Sequence, residues 1–206
     1  MPKDVAPTTR DRLKLAAAKS FADKGFHATT TRDIAAAAGM SPAAVYVHHP
    51  SKESLLHELS LEGHEQVLAL AREAAGSADS PTARLRALMH TWVRLHAELH
   101  TMSRIVNYEI DALTPEHLAE VSVVRREITA VFRDVVTAGV ATGEFATDRP
   151  RMTVAALISL GVDVARWWSD EGSWTPEALA DHLTTLALRM VAAHPLEPEA
   201  GVDTGG

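Results

Sequence analysis

Cysteine is absent from the 206 residues of the chain, which excludes disulfide bonds, thiolate zinc sites and a cysteine nucleophile. No run of about 18 uncharged apolar residues occurs, so the sequence offers no membrane-spanning helix. Residues 1–10 lack the apolar segment of a secretory signal peptide. Glycine-rich phosphate loops, nucleophile elbows and strand-based cofactor sites are also missing. We therefore expect a cytoplasmic protein with no membrane contact, no cofactor, no metal and no catalytic residues.

Basic residues are outnumbered in the chain as a whole, whose formal net charge is −7. This balance at first argues against a nucleic-acid partner. The charge is unevenly distributed, however, because residues 1–50 hold seven basic and four acidic side chains, whereas the remaining 156 residues hold 13 and 23. A basic head on an acidic body is typical of a protein that meets a polyanion at one end only. Small imbalances of this size are common, so the distribution favours DNA binding only modestly.

The period-two alternation of β-strands is missing as well, and apolar residues recur at intervals of three and four, so we predict an all-α fold. Thr30 and Asp33 form a capping box, while Ser41 and Pro42 are typical of a helix start. The predicted helices span residues 9–24, 31–38, 41–48, 51–75, 81–99, 102–113, 115–142, 150–170 and 176–193.

Two short helices, 31–38 and 41–48, follow a longer supporting helix and predict a helix-turn-helix unit. The second short helix begins with small residues, which allow a helix backbone to approach base edges in the major groove. These residues are Ser41, Pro42, Ala43 and Ala44. Side chains that could contact phosphates surround them. These side chains are Thr30, Thr31, Arg32, Tyr46, His48 and Lys52.

Three segments in this region, TTRDIA (30–35), AGMS (38–41) and AVYVHHPSKESLL (44–56), resemble the DNA-binding domain of TetR-family transcription regulators. The resemblance covers residues 9–59 without a gap. It implies that Tyr46 and Lys52 bind phosphates and that residues 41–44 lie nearest the bases. It further implies a ligand-responsive regulator, usually a repressor, that leaves its operator when a ligand binds. One departure is His49, which stands where the family usually carries an aromatic residue, most often Phe.

The last two predicted helices indicate a homodimer. Helix 150–170 is apolar nearly all round and therefore needs cover on both sides, and 176–193 carries an apolar seam. A twofold pair of such helices would form a four-helix interface, with Gly161 allowing close crossing; the alternative is burial within one subunit. Twofold pairing predicts a palindromic or near-palindromic operator of double-stranded DNA, with reading helices about 34–36 Å or somewhat more apart. The candidate dimerisation residues are Leu157, Ile158, Gly161, Val162, Leu179, Leu183, Leu186 and Met190.

The middle helices could enclose a small-molecule effector, as ligand sites in helical bundles do; ordinary core packing is the alternative. The candidate lining residues are Met89, Trp92, His96, Ile105, Tyr108, Arg125, Phe132 and Trp167. The segments YE (108–109), LTPE (113–116), GEF (143–145), RWW (166–168) and GSWTPE (172–177) also resemble the C-terminal half of TetR regulators that respond to acyl-CoA thioesters. That resemblance implies that Arg125, Arg126 or Arg133 meets the phosphates of coenzyme A, unless these arginines pair with Glu127 and Asp134 on an exposed face.

The organisation predicted from these patterns is a flexible arm (1–8), a helix-turn-helix DNA-binding domain (9–56), a helical ligand-binding and dimerisation domain (57–193) and a disordered tail (194–206). Two other classes of function stay open. His96 and His100 lie four residues apart, a spacing that can bind zinc in a metal-binding or hydrolytic enzyme, although no third ligand is evident. A helical adaptor with a vestigial DNA-binding head is the other alternative.

Overall fold

A computed structural model describes residues 8–191, and within them the chain forms ten α-helices, in agreement with the all-α prediction. The predicted tail and all but the last residue of the predicted arm lie outside the described residues. The helices are α1 (Thr9–Lys24), α2 (Thr31–Ala38), α3 (Pro42–His48), α4 (Lys52–Gly76), α5 (Pro81–Glu98), α6 (His100–Tyr108), α7 (Pro115–Thr142), α8 (Pro150–Val162), α9 (Val164–Trp167) and α10 (Pro176–Val191).

Helix starts follow the local chemistry of the sequence. Three helices begin with a capping box, in which the cap hydroxyl accepts from the backbone three residues on and that residue's side chain reaches back. The caps are Thr8, Thr30 and Ser51. Five further helices begin with proline, whose missing N–H costs nothing in the first helical turn.

Two predicted helices are shorter than expected. The predicted helix 102–113 is α6 followed by a 3₁₀ turn at Ile110–Ala112. The predicted helix 150–170 ends at Val162 and is followed, after Asp163, by the separate four-residue α9. Val164, Ala165 and Trp168 are buried, and α9 packs against α5 and α6. Periodicity alone does not reveal the interruption, because these residues are apolar whether the segment forms one helix or two.

The molecule has two apolar cores that share helix α4. The head core packs α1, α2, α3 and the first half of α4, together with Ile105, Leu113 and Val121 from the following helices. The body core packs the second half of α4 with α5, α7, α8 and α10. Ile105 was expected to line the effector site, but α6 crosses α1 and carries Ile105 into the head core instead. Helix α4 runs without a break across the predicted domain boundary at 56/57 and contributes residues to both cores.

None of the helices within residues 8–191 combines the length and apolar character that a membrane span requires.

Candidate nucleic-acid interface and effector cavity

The start of α3 presents small side chains to solvent. Ser41 caps the helix by accepting a hydrogen bond from the Ala44 N–H at 3.2 Å. Pro42 and Ala43 are exposed and Ala44 is partly exposed, whereas Val45 is completely buried and anchors the helix to the head. The backbone at this end is therefore screened only by small side chains, the arrangement that close approach to a groove requires.

The turn between α2 and α3 depends on Gly39. Its φ is 67°, in the left-handed region where residues with a Cβ are strained. The N–H of Met40 donates to the carbonyl of Ala35 at 2.9 Å and closes the turn. This turn fixes the angle at which α3 projects from α2.

Polar side chains flank the exposed end of α3. Tyr46 is 54% exposed, and its hydroxyl lies 3.0 Å from the hydroxyl of Thr31 at the start of α2. Arg32 and His48 are exposed, and neither forms an ion pair within residues 8–191. These four groups are available to phosphate oxygens, the usual partners of such side chains on DNA.

Lys52 and Thr30 have their polar groups occupied within the head. The Lys52 ammonium donates to the carbonyls of Phe26, His27 and Thr29 at 2.7, 3.1 and 2.9 Å, and it lies 4.4 Å from the centre of the Phe26 ring. The Thr30 hydroxyl donates to Asp33 at 2.6 Å. An ammonium has three donors, so the conformation described here leaves Lys52 none for a phosphate. In this conformation the polar groups of these two residues hold the head together, and their phosphate contacts stay a prediction.

His49, the departure from the family pattern, is buried in the seam between α3 and α4. Its Nδ1 lies 3.6 Å from a carboxylate oxygen of Glu58, while Nε2 has no partner within residues 8–191. Burial lowers the pKa of His49, which keeps the ring neutral near pH 7. A neutral imidazole therefore fills the position of the usual aromatic side chain.

A small, partly enclosed cavity of about 90 Å³ lies between α4, α5, α6 and α7. Apolar side chains make up most of its wall, including Val67, Trp92 and Val106. Two buried histidines, His64 and His96, also line it. Each donates from Nδ1 to the carbonyl four residues earlier, at 2.7 Å in both cases. Burial lowers the pKa of both, that of His96 to about 4, so both rings are neutral near pH 7.

Arg125 of α7 lies between this cavity and an open groove. Its Nη1 lies 3.4 Å from Oδ1 of Asn107 and 3.5 Å from Nε2 of His64. No carboxylate pairs with it within residues 8–191, and burial lowers its pKa. The groove has a volume of about 580 Å³ and is also lined by Tyr108 and Trp167. A half-buried guanidinium without a counter-ion is a strong binding point for a carbonyl or an anionic group.

The remaining residues predicted to bind the effector lie in different parts of the structure. Trp92 and His96 line the cavity, and Tyr108, Arg125 and Trp167 line the groove. Met89 and Phe132 are fully buried in the body core and line neither. Arg126 is exposed, and Arg133 lies 3.3 Å from Asp134 on the surface.

Sequence reasoning missed His64 and Asn107, which complete the polar end of the cavity. His64 falls four residues before Leu68 on the buried face of α4. A polar residue at an apolar position was the signal that could have identified it.

The predicted dimer surface requires a correction. Leu157, Gly161 and Leu179 are buried within the subunit. A Cβ added at Gly161 would overlap the Trp92 ring, so the glycine makes room for this indole rather than for a partner helix. Other predicted positions remain partly exposed, and α8 adds the exposed Ala155, Ala156 and Ser159 beside them. The predicted positions that remain accessible are Ile158, Val162, Leu183, Leu186 and Met190.

His96 and His100, the two histidines considered for a metal-dependent enzyme, make different contacts. His96 lines the cavity, whereas the Nδ1 of His100 lies 3.1 Å from the Ala97 carbonyl. Within residues 8–191, no three His, Asp or Glu side chains are placed to hold a metal ion.

Comparisons with known proteins agree with this geometry. Residues 15–59 match the family model of bacterial regulatory proteins of the tetR family, and residues 78–191 match that of the tetracyclin repressor-like C-terminal domain. The chain is 30% identical over 186 residues to the HTH-type transcriptional repressor KstR2 of Rhodococcus jostii RHA1, covering 89% of this chain and 91% of KstR2.

Two solved structures share the whole architecture. A tetR-family regulatory protein from Rhodococcus RHA1 is 40% identical with a TM-score of 0.86, covering 90% of this chain and 97% of that one. PfmR from Thermus thermophilus is 31% identical with a TM-score of 0.81, covering 87% and 98%. These relatives are regulators rather than enzymes, so the metal-dependent alternative is not favoured. The chain belongs to the TetR family of transcriptional regulators.

Proposed function

We propose that this protein is a homodimeric repressor that binds a palindromic operator through α3 and leaves it when an effector binds. The observation that carries the proposal is the exposed, small-residue start of α3, held in place by the buried Val45. The role of repressor is supported by the similarity to KstR2. Residues 9–56 would serve as the DNA-binding domain and residues 57–193 as the effector and dimer domain.

For the effector, we propose an acyl-CoA thioester. A partly enclosed apolar cavity suits an acyl chain. The adjoining groove shares Ile158, Val162 and Leu183 with the proposed dimer surface, so part of a long polar carrier would lie there beside the partner subunit. Arg125, at the junction, is placed to donate hydrogen bonds to the thioester carbonyl or to a nearby polar group of the carrier. Trp167 and Tyr108 supply aromatic surface along the groove.

Helix α4 connects the two sites. Its first residue, Lys52, ties it to the loop before α2, while Gly63, His64 and Val67 line the cavity. At its junction with α7, the rings of His57 and His117 stack with centroids 3.8 Å apart. A shift of α4 caused by the effector would therefore move the reading helix. For release to follow, the effector must bind the DNA-free arrangement more tightly than the DNA-bound one.

DNA recognition can be tested by selecting binding sites from random duplexes and then measuring affinity by fluorescence anisotropy. We expect a palindromic site and an affinity that falls steeply with salt. Ala43→Leu should change the selected sequence, whereas Arg32→Ala should weaken binding to all sequences alike. Selection of no site by the intact protein would contradict DNA recognition, and unchanged selection by Ala43→Leu would contradict the role of α3.

The effector class can be tested by adding acyl-CoA thioesters and the matching free acids to the protein–operator complex. We expect release by thioesters, and at least a tenfold weaker response in Arg125→Met, a loss typical of a charged hydrogen bond. Arg126→Met is the matched control, since Arg126 is adjacent in sequence but exposed. Equal responses of the two variants would contradict the role of Arg125, and release by free acids alone would contradict the thioester class.

A further inference from the structure

We propose that the effector carries a hydroxyl group on its buried acyl portion and that this hydroxyl donates a hydrogen bond to Nε2 of His96. The inference rests on the proposed function, because it specifies the effector of the cavity between α4 and α7.

The environment of His96 fixes which nitrogen can accept. The ring is 3% exposed and packs against Trp92, with centroids 4.5 Å apart. Its Nδ1 lies 2.7 Å from the Trp92 carbonyl, which can only accept, so Nδ1 carries the hydrogen. In the neutral ring, Nε2 is then a bare acceptor. The ring that carries this acceptor forms part of the cavity wall.

This acceptor has no partner in the protein. No hydrogen bond to Nε2 of His96 forms within residues 8–191, whereas Nε2 of His64 already faces the Arg125 guanidinium at 3.5 Å. A buried acceptor that loses water without gaining a donor weakens binding. A purely aliphatic chain in the cavity would impose this loss, and a hydroxylated chain would avoid it.

The size of the cavity favours a short acyl chain. Its volume of about 90 Å³ equals roughly three waters at about 30 Å³ each, and therefore about three or four non-hydrogen atoms of an acyl chain. A four-carbon acyl group matches this space, and a hydroxyl on any of its carbons beyond the carbonyl would lie inside or at the entrance.

The test uses butyryl-CoA and its 2-, 3- and 4-hydroxylated forms as probes, with release of the operator followed by anisotropy. We expect at least one hydroxylated thioester to act at a concentration tenfold or more below that of butyryl-CoA. If butyryl-CoA acts as well as all three, the hydroxyl inference is wrong while the thioester proposal stands. If none of the four releases the operator but other acyl-CoA thioesters do, the inference of a short hydroxylated acyl group is wrong while the thioester proposal stands.

Variants at His96 identify the acceptor. His96→Phe keeps a ring but removes the acceptor, so the preference for the hydroxylated thioester should fall to less than threefold. His96→Gln retains an acceptor oxygen and should keep part of it. The matched control is His90→Phe, since His90 lies on the same helix but outside the cavity, near Glu177 and Asp181. A full preference in His96→Phe, with the operator still bound, would overturn the assignment to His96.

Discussion

At the scale of single residues, Gly161 and Trp92 show how a missing side chain can position a large one. The Trp92 indole fills the space where a Cβ of Gly161 would lie, and its Nε1 donates to the Ile158 carbonyl at 3.0 Å. We expect Gly161→Ala to lower the free energy of unfolding by about 1–3 kcal/mol, because the indole must move out of a packed position. Urea denaturation followed by circular dichroism measures this change.

Gly63→Ala provides the control. Gly63 is also in a helix, but its added Cβ would meet only Val106, at an ordinary contact distance of 3.8 Å. Since alanine is the better helix former, this variant should equal or exceed the stability of the natural chain by up to about 1 kcal/mol. Comparable destabilisation of the two variants would mean that helix propensity, rather than the indole, governs position 161.

His96 should make the stability of the protein depend on pH. Its pKa is about 4 in the folded chain because it is buried, against about 6.5 in an unfolded chain. Between these values the unfolded state binds the extra proton, so the stability is complete above pH 6.5 and falls as the pH drops towards 4. From pH 7 to pH 5 the loss from this one group is about 2 kcal/mol.

Urea denaturation at several pH values checks this expectation. His64 and His49 contribute in the same direction, because burial lowers their pKa values too. His96→Phe should therefore flatten the pH dependence but not abolish it. A curve of unchanged slope between pH 5 and pH 7 in this variant would contradict the assignment of the pH effect to His96.

The residue patterns identified groups but not their partners. Arg125 was one of three arginines that could meet an anion, and only the folding of α4, α6 and α7 against one another separates it from Arg126 and Arg133. Lys52 matched a phosphate-binding position, yet three carbonyls more than twenty residues away in sequence take its donors. Periodicity reports which face of a helix is buried, and it carries no information on what another helix brings there.

At the scale of elements, the contact between Lys52 and the loop before α2 joins α4 to the head. We expect Lys52→Met to lower the free energy of unfolding by about 2 kcal/mol, because three carbonyls lose a charged donor while the aliphatic stem is preserved. Thermal denaturation measures the loss. Lys19→Met is the control, since Lys19 is exposed and forms no ion pair within residues 8–191. Equal melting temperatures for the two variants would contradict a stabilising role for Lys52 and would leave its ammonium available to a phosphate.

Element boundaries were predictable where chemistry is local. The bounds of α1, α2 and α7 agree with those expected, because capping boxes, an initial proline and terminal glycines act within a few residues. The break after Val162 was missed because its cause is distant: the residues that follow it are buried by α5 and α6. The first kind of feature is set by neighbours in sequence, and the second by neighbours in space.

At the scale of the whole molecule, the proposed dimer would cover the accessible apolar side chains of α8 and α10. Leu186 and Leu183 of α10 remain partly exposed in the single chain, and Met190 is 41% exposed. Leu186→Glu should therefore leave each subunit folded while placing two like charges at the twofold interface, because an isologous contact repeats every substitution. Sedimentation equilibrium should show a monomer at micromolar concentration. The affinity for the operator should be at least tenfold weaker, since the two reading helices no longer bind the two half-sites as one unit.

Leu15→Glu, at a position of α1 that is 74% exposed, should remain a dimer. A Leu186→Glu protein that sediments as a dimer would place the interface elsewhere, and a natural chain that sediments as a monomer would remove the physical basis for a palindromic operator.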